Sequence, residues 1–220
     1  MSENKIRAAM LERYYLQYLS DENSADFVAA VSREYRIGTL ERLFQMGDRT
    51  VRRATILSLG FLGDYGCNEI MGQALTDDDR GVRMLADHGI REIWGRQGSA
   101  AEQSEVHRLY WLNDRDCFED AIIVANQLLT HNSSLSEAWN QRAIALCALG
   151  DFEGAIEDCR ETLNCNRFHF PAAMGLAHCC LELKEPYAAL DSFRLALKIN
   201  PELDQVRLQV RELEQSLEEK

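Results

Sequence analysis

At 220 residues, with 46% hydrophobic and 27% charged side chains, the chain is long enough to bury an ample core. Its net charge of −12 is uneven: residues 1–100 carry 13 basic and 15 acidic side chains, residues 101–220 carry 11 and 21. An acidic body repels phosphate backbones, so nucleic acid is disfavoured as a partner, and no apolar run reaches the roughly 18 to 20 residues that a membrane helix needs.

Residues 4–19 read as an amphipathic helix, with Ile6, Met10, Leu11, Tyr14, Tyr15 and Tyr18 recurring at three-and-four spacing. Charges scattered among those positions leave no uninterrupted secretory segment, and the expected compartment is the cytoplasm. Ser20 to Ser24 breaks the pattern. Ser24 or Asp26 is expected to cap a second helix whose stripe is Phe27, Val28, Val31 and Tyr35.

From Thr39 a period of 31 residues follows: Asp48 pairs with Asp79, Val51 with Val82 and Arg52 with Arg83. Each copy holds a short helix, a turn with Asp and a longer helix opening on Val-Arg. Asp at a helix start accepts free backbone N–H groups and faces the positive end of the dipole. Over roughly residues 24–98 this pattern resembles short HEAT-like repeats, including those of phycobilisome-lyase-type proteins. Gly95, Gly98, Ser99 and the polar run Ala100 to Ser104 then mark the one internal boundary.

Beyond it the period becomes 34. Ala121, Ala155 and Ala189 fall in register, as do Ala125, Cys159 and Phe193, and then Leu128, Thr162 and Ala196. Trp139, Gly150, Phe152, Ala155 and Leu163 stand where the tetratricopeptide family has its signature, so the stretch resembles that family. The repeats are read at about 102–135, 136–169 and 170–203, with a closing helix over 201–219 whose inner face is Leu203, Val206, Val210 and Leu213. The third departs from the pattern with Lys184 at the turn glycine and Ala173 at the tryptophan. The first is degenerate, with Arg108-Leu109 in place of Leu-Gly.

The resemblance implies that the first helix of each repeat lines a concave groove. Its groove positions fall on Val106, Tyr110 and Asn113, on Asn140, Ile144 and Cys147, and on Met174, His178 and Leu181. Such a mixture suits a peptide held by main-chain hydrogen bonds and apolar pockets. The competing reading is an ordinary surface, or a groove filled by the protein's own chain. Members of the family that clamp a chaperone's C-terminal carboxylates use Lys and Asn in the first repeat, Asn in the second, and Lys and Arg in the third, at positions occupied here by Val106, Tyr110, Gln141, Pro171 and Gly175. None is cationic, so a chaperone tail is not the expected partner.

Other candidate chemistry is weaker. The seven cysteines form no CxxC pair and sit at helix-core spacing, so neither a disulfide framework nor a metal site is expected. Cys147 and His178 on neighbouring repeats lack a third orienting group for nucleophilic catalysis. The glycines of Leu59–Gly66 follow a helix instead of a strand, which argues for packing over phosphate binding. Asp77, Asp78 and Asp79 lack the alternation of a calcium loop. Arg49, Arg52, Arg53, Arg80 and Arg83 form either a structural ladder with Asp48 and Asp79 or a basic stripe for an acidic partner.

The expectation is thus an all-α solenoid: a HEAT-like domain over 1–100 and a tetratricopeptide domain over 101–220. It acts as a non-enzymatic adaptor for a protein or peptide, without cofactor or metal. A tetrapyrrole-handling relative of the bilin lyases and a self-associating array are the alternatives.

Overall fold

The computed structural model describes residues 3–218. Among these are thirteen α-helices, one short 3-10 turn and no strand. Among the same residues, no helix is long and apolar enough to cross a membrane. The chain divides into two compact units, residues 1–93 and 94–220.

The first unit runs α1 (Glu3–Asp21), α2 (Ser24–Glu34), α3 (Ile37–Met46), α4 (Arg49–Leu62), a 3-10 turn (Tyr65–Cys67), α5 (Asn68–Ala74) and α6 (Arg80–Trp94), whose last residue opens the second unit. Helix α1 packs on α2 and α4. It buries Leu11 and Tyr15, while Ile6 stays in solvent, so the inward stripe is narrower than the spacing suggests. The cap of α2 is Asn23, not Ser24 or Asp26. Asn23 accepts the Asp26 N–H, and its own amide donates to the Asp26 carboxylate at 2.8 Å. Asp26 thereby sits in the first turn, where a negative charge favours the dipole.

The repeated Asp positions act as expected at both helix starts. Asp48 accepts from the N–H groups of Thr50 and Val51, and Asp79 from that of Val82. Val51 and Val82, three residues on, are buried. Helices α4 and α6 touch backbone to backbone at Gly60 and Gly89: a Cβ on Gly60 would lie 3.1 Å from the Gly89 Cα. The glycine spacing at residues 59–66 therefore serves packing.

The second unit contains α7 (Ala100–Asp114), α8 (Phe118–His131), α9 (Ser136–Ala148), α10 (Phe152–Cys165), α11 (Phe170–Glu182), α12 (Pro186–Ile199) and α13 (Asp204–Glu218). The polar run from Ala100 to Ser104 is not a boundary loop. It is the first turn of α7, because Ser99 and Glu102 satisfy each other's backbone N–H groups in a capping box. The second helices of the three hairpins start at Phe118, Phe152 and Pro186 and end at His131, Cys165 and Ile199, each 34 residues apart. Ala121, Ala155 and Ala189 are fully buried, as are Ala125, Phe193 and Ala196. Helix α13 closes the stack on α12 with Val206 and Val210 inside. Glu219, the expected last residue of that helix, lies outside the described residues.

Two devices recur with the same period. Asp116, Gly150 and Lys184 all take a left-handed backbone, with φ of 57°, 84° and 61°. The next N–H in each case reaches back five residues, from Cys117 to Leu112, Asp151 to Leu146 and Glu185 to Cys180. That is the Schellman closure of a helix end. After each second helix, Asn132, Asn166 and Asn200 accept the N–H two residues on through Oδ1. These turns start the chain back toward the next hairpin.

Only glycine adopts the left-handed region without cost, and nothing lies within 4 Å of where a Gly150 Cβ would stand. Gly150→Ala is therefore expected to lower stability by about 1 kcal/mol, and Lys184→Gly to raise it by about 0.5–1 kcal/mol. Urea denaturation of both variants against the parent chain checks the opposite signs.

Candidate binding face of the C-terminal hairpins

Helices α7, α9 and α11 each bring three equivalent positions to the face read as a groove, and the structure treats the three rows differently. The first row is Val106, Asn140 and Met174. Val106 is 2% exposed and Asn140 6%, so neither is open to a partner; Met174 is half-buried. In the second row Tyr110 is half-buried, Ile144 is 44% exposed, and His178 is exposed with its ring edge-on to Phe193 at 5.1 Å. In the third row the Asn113 amide is already used, donating to the main-chain oxygen and Oε1 of Gln141 at 2.9 and 2.8 Å. Cys147 is half-buried and Leu181 is 37% exposed. Trp111, absent from the sequence reading, is 53% exposed beside Tyr110, with the Arg115 guanidinium 4.6 Å from its ring centre.

In the first row Val106 belongs to the apolar cluster of Leu109 and Val124, and Asn140 is held by a buried polar network. Glu137 accepts from Asn140 Nδ2 at 3.1 Å, Gln141 Nε2 at 2.8 Å and His169 Nε2 at 2.9 Å. The Ala172 N–H donates to His169 Nδ1, so that nitrogen carries no proton and Nε2–H faces the carboxylate. His169 is therefore a neutral donor to an anion. Burial pushes the Glu137 carboxyl up, but its hydrogen bonds from His169, Gln141 and Asn140 outweigh burial and hold it below the usual range. Trp94 stacks on the His169 ring with centroids 4.2 Å apart, and Gln97 accepts from the N–H and hydroxyl of Ser136. The chain's own segment 94–97 thus seals this end of the face. No sequence motif announced the pair, since Glu137 and His169 lie 32 residues apart and read as ordinary helix-start residues.

Beside this network Arg142 makes a two-pronged pair with Asp158, both contacts 2.7 Å, and donates to Asn126 Oδ1. It also lies over the Trp139 ring at 4.8 Å, tying α8, α9 and α10 together. Four of the cysteines are held toward the neutral thiol. Burial pushes the Cys159 thiol up to about 12 and raises Cys165, Cys179 and Cys180 as well. Cys147 hydrogen-bonds with Cys179, and His178 is shifted down by desolvation with Glu182 opposing. No group of three metal-ligating side chains occurs among the described residues.

In the first unit the arginine row is engaged internally. Arg52 pairs with Asp77 at 2.8 and 2.9 Å, and Arg53 with Asp79 at 2.6 and 2.7 Å. Arg83 donates to the main-chain oxygens of Asp77 and Asp78. Arg49 and Arg80 are exposed. The ladder partner is Asp77 where Asp48 was expected, because Asp48 spends its carboxylate on the α4 cap.

No protein-family model matches the chain, and no curated protein matches it. Among solved structures, the first TPR domain of Spaghetti (RPAP3), bound to the HSP90 peptide SRMEEVD, matches with a TM-score of 0.52. Identity is 18% over 55% of this chain and 95% of that one. Over that matched part the fold is a tetratricopeptide-repeat fold. Two further matches have lower scores. The Yersinia enterocolitica translocator chaperone SycD scores 0.49 at 18% identity, over 55% of this chain and 94% of that one. The TPR2AB domain of yeast Sti1 in complex with pHSP90 scores 0.46 at 15% identity, over 96% and 97%.

Within this tetratricopeptide unit, removing the Glu137 carboxylate strands three buried donors. Glu137→Ala is expected to cost roughly 3–5 kcal/mol, measured by urea denaturation, against under about 1 kcal/mol for the exposed Glu153→Ala. Two other carboxylates set the acid limb. Hydrogen bonding to Arg53 brings Asp79 down to about 2, and hydrogen bonds from Ser99 and Asn132 bring Glu102 to about 2. A folded-state pKa below the unfolded one stabilises the fold above the unfolded value and is lost as pH falls. Melting temperature is therefore expected to drop between about pH 4.5 and pH 2, with a shallower drop in Asp79→Asn and Glu102→Gln.

Proposed function

We propose that this protein is a non-enzymatic interaction scaffold that holds a peptide or protein partner across the open part of its tetratricopeptide face, at Tyr110, Ile144, Cys147, His178 and Leu181. The observation that carries the reading is the exposure of Ile144 and Leu181, large apolar side chains on successive first helices. Packing does not require these residues outward; a partner's apolar side chains would remove them from water. A cytoplasmic location belongs to the same proposal, as do two domains, 1–100 and 101–220. In the first domain, the twice-repeated order of short helix, Asp turn and long helix supports the HEAT-like reading of residues 24–98.

The matched Spaghetti domain holds a peptide ending in carboxylates. The corresponding positions here offer no cation, and two of them, Val106 and Gln141, are buried. The acidic excess of residues 101–220 adds repulsion. The preferred ligand is instead an apolar segment with basic flanks.

Selection from a random peptide library on the immobilised full chain tests this. Apolar peptides with Lys or Arg flanks are expected, and Ile144→Asp/Leu181→Asp should weaken them about tenfold or more. The SRMEEVD peptide should not bind. Selected peptides that bind the double variant as tightly as the parent would place the site elsewhere.

A further inference from the structure

We propose that Cys147 and Cys179 form a redox pair, closed into a disulfide by a peroxide, that ties α9 to α11. Both are free thiols in the structure. Cys179 lies in one core cluster with Cys159 and Cys180, all three buried, and the half-buried Cys147 packs against that cluster. The thiols of Cys147 and Cys179 hydrogen-bond to each other across the two helices. Cys159 turns toward Gly175 of α11, where a Cβ would stand 3.3 Å from its Sγ. Cys117 and Cys165 each reach a main-chain oxygen, of Arg115 and Ser133, at 3.5 Å.

The repeat register shows what is particular about this pair. Shifted by 34 residues, the same two positions hold Asn113 and Ala145 on α7 and α9, and Leu181 and Leu213 on α11 and α13. Ala145 is buried as Cys179 is, and Leu213 packs against the same cluster as Cys147. Packing between consecutive first helices is thus met without sulfur in both neighbouring copies. The middle copy alone carries a thiol at each position.

Exposure decides which thiol reacts first. Peroxide reaches Cys147 from solvent, and the thiolate attacks one peroxide oxygen. The O–O bond breaks, hydroxide leaves and takes up a proton, and Cys147 becomes a sulfenic acid. The Cys179 sulfur then attacks the Cys147 sulfur; the S–O bond breaks, and the oxygen leaves as water with the Cys179 proton. Two thiols and one peroxide give one disulfide and two waters, the sulfurs losing the two electrons that the peroxide gains. Burial raises Cys159, Cys179 and Cys180, which keeps them from competing for the oxidant. A dithiol reductant reopens the bond by attack on the Cys147 sulfur. While closed, it joins the second hairpin to the third and constrains the unfolded chain over residues 147–179.

The reduced full chain is treated with one equivalent of hydrogen peroxide without denaturant, the remaining thiols are alkylated, and the digest is read by mass spectrometry. Loss of two of the seven thiols is expected, with a fragment crosslinked through Cys147 and Cys179. The melting temperature should rise by about 5 °C or more, and dithiothreitol should reverse both changes. Cys147→Ser and Cys179→Ala, the latter copying Ala145, should each lose the crosslink and the thermal shift. In Cys179→Ala the sulfenic acid at Cys147 should persist and be captured by dimedone. If Cys179→Ala loses helical circular dichroism, Cys147→Ser decides the result. A crosslink from Cys147 to Cys159, a bond that forms only in urea, or sulfinic acid without a crosslink would overturn the proposal. Peptide selection runs on the reduced chain, so either reading can fail while the other stands.

Discussion

Close approach of helices is the constraint on which the C-terminal unit depends. Ala121, Ala155 and Ala189 have no exposed surface, and each lies where a second helix meets its neighbours. A larger side chain there would force helices apart, at a cost of typically 1–3 kcal/mol. Contact at that distance also requires each hairpin to reverse within a few residues. The left-handed backbone at Asp116, Gly150 and Lys184 does this identically three times. With the angle and register of each hairpin set this way, equivalent positions on α7, α9 and α11 line up in rows. The alignment of these rows is a consequence of the hairpin turn.

The buried Glu137 decides how much of that face is open. A carboxylate out of water is tolerated only when its acceptor capacity is filled, and here three donors converge on it. His169 reaches it from the far end of the same repeat, and Trp94 covers His169. One of the residues that satisfy the charge is Asn140, which is thereby closed to a partner.

Charge is handled in two ways in the first unit. Arg52 and Arg53 are matched one to one with Asp77 and Asp79 in two-pronged pairs that lock helix starts to helix ends. Arg36 and Arg42 make no ion pair among the described residues, and α3 begins without a side-chain cap. The contrast lies in arrangement, since both sets are the same residue type in a unit of nearly even charge.

The sequence by itself determined the all-helical class, the 34-residue hairpins and the identity of the small buried residues. These follow from local helix periodicity and from repeats that impose one environment every 34 positions. The recurrent Asn132, Asn166 and Asn200 were equally legible in that period, as a turn signal that the family signature does not include. Other features depended on which side chains meet in space. Asn140 and Val106 occupy groove positions in the register, yet one is consumed by Glu137 and the other by the core. Asp48 and Asp77 are both plausible partners for Arg52 by spacing, and only the cap at α4 removes Asp48. The alignment of Arg7 from α1 with Arg36 and Arg42 across a cleft has no periodic trace at all. Contacts between residues about 30 apart with no shared repeat position are set by how elements pack, and so the tertiary structure alone decided them.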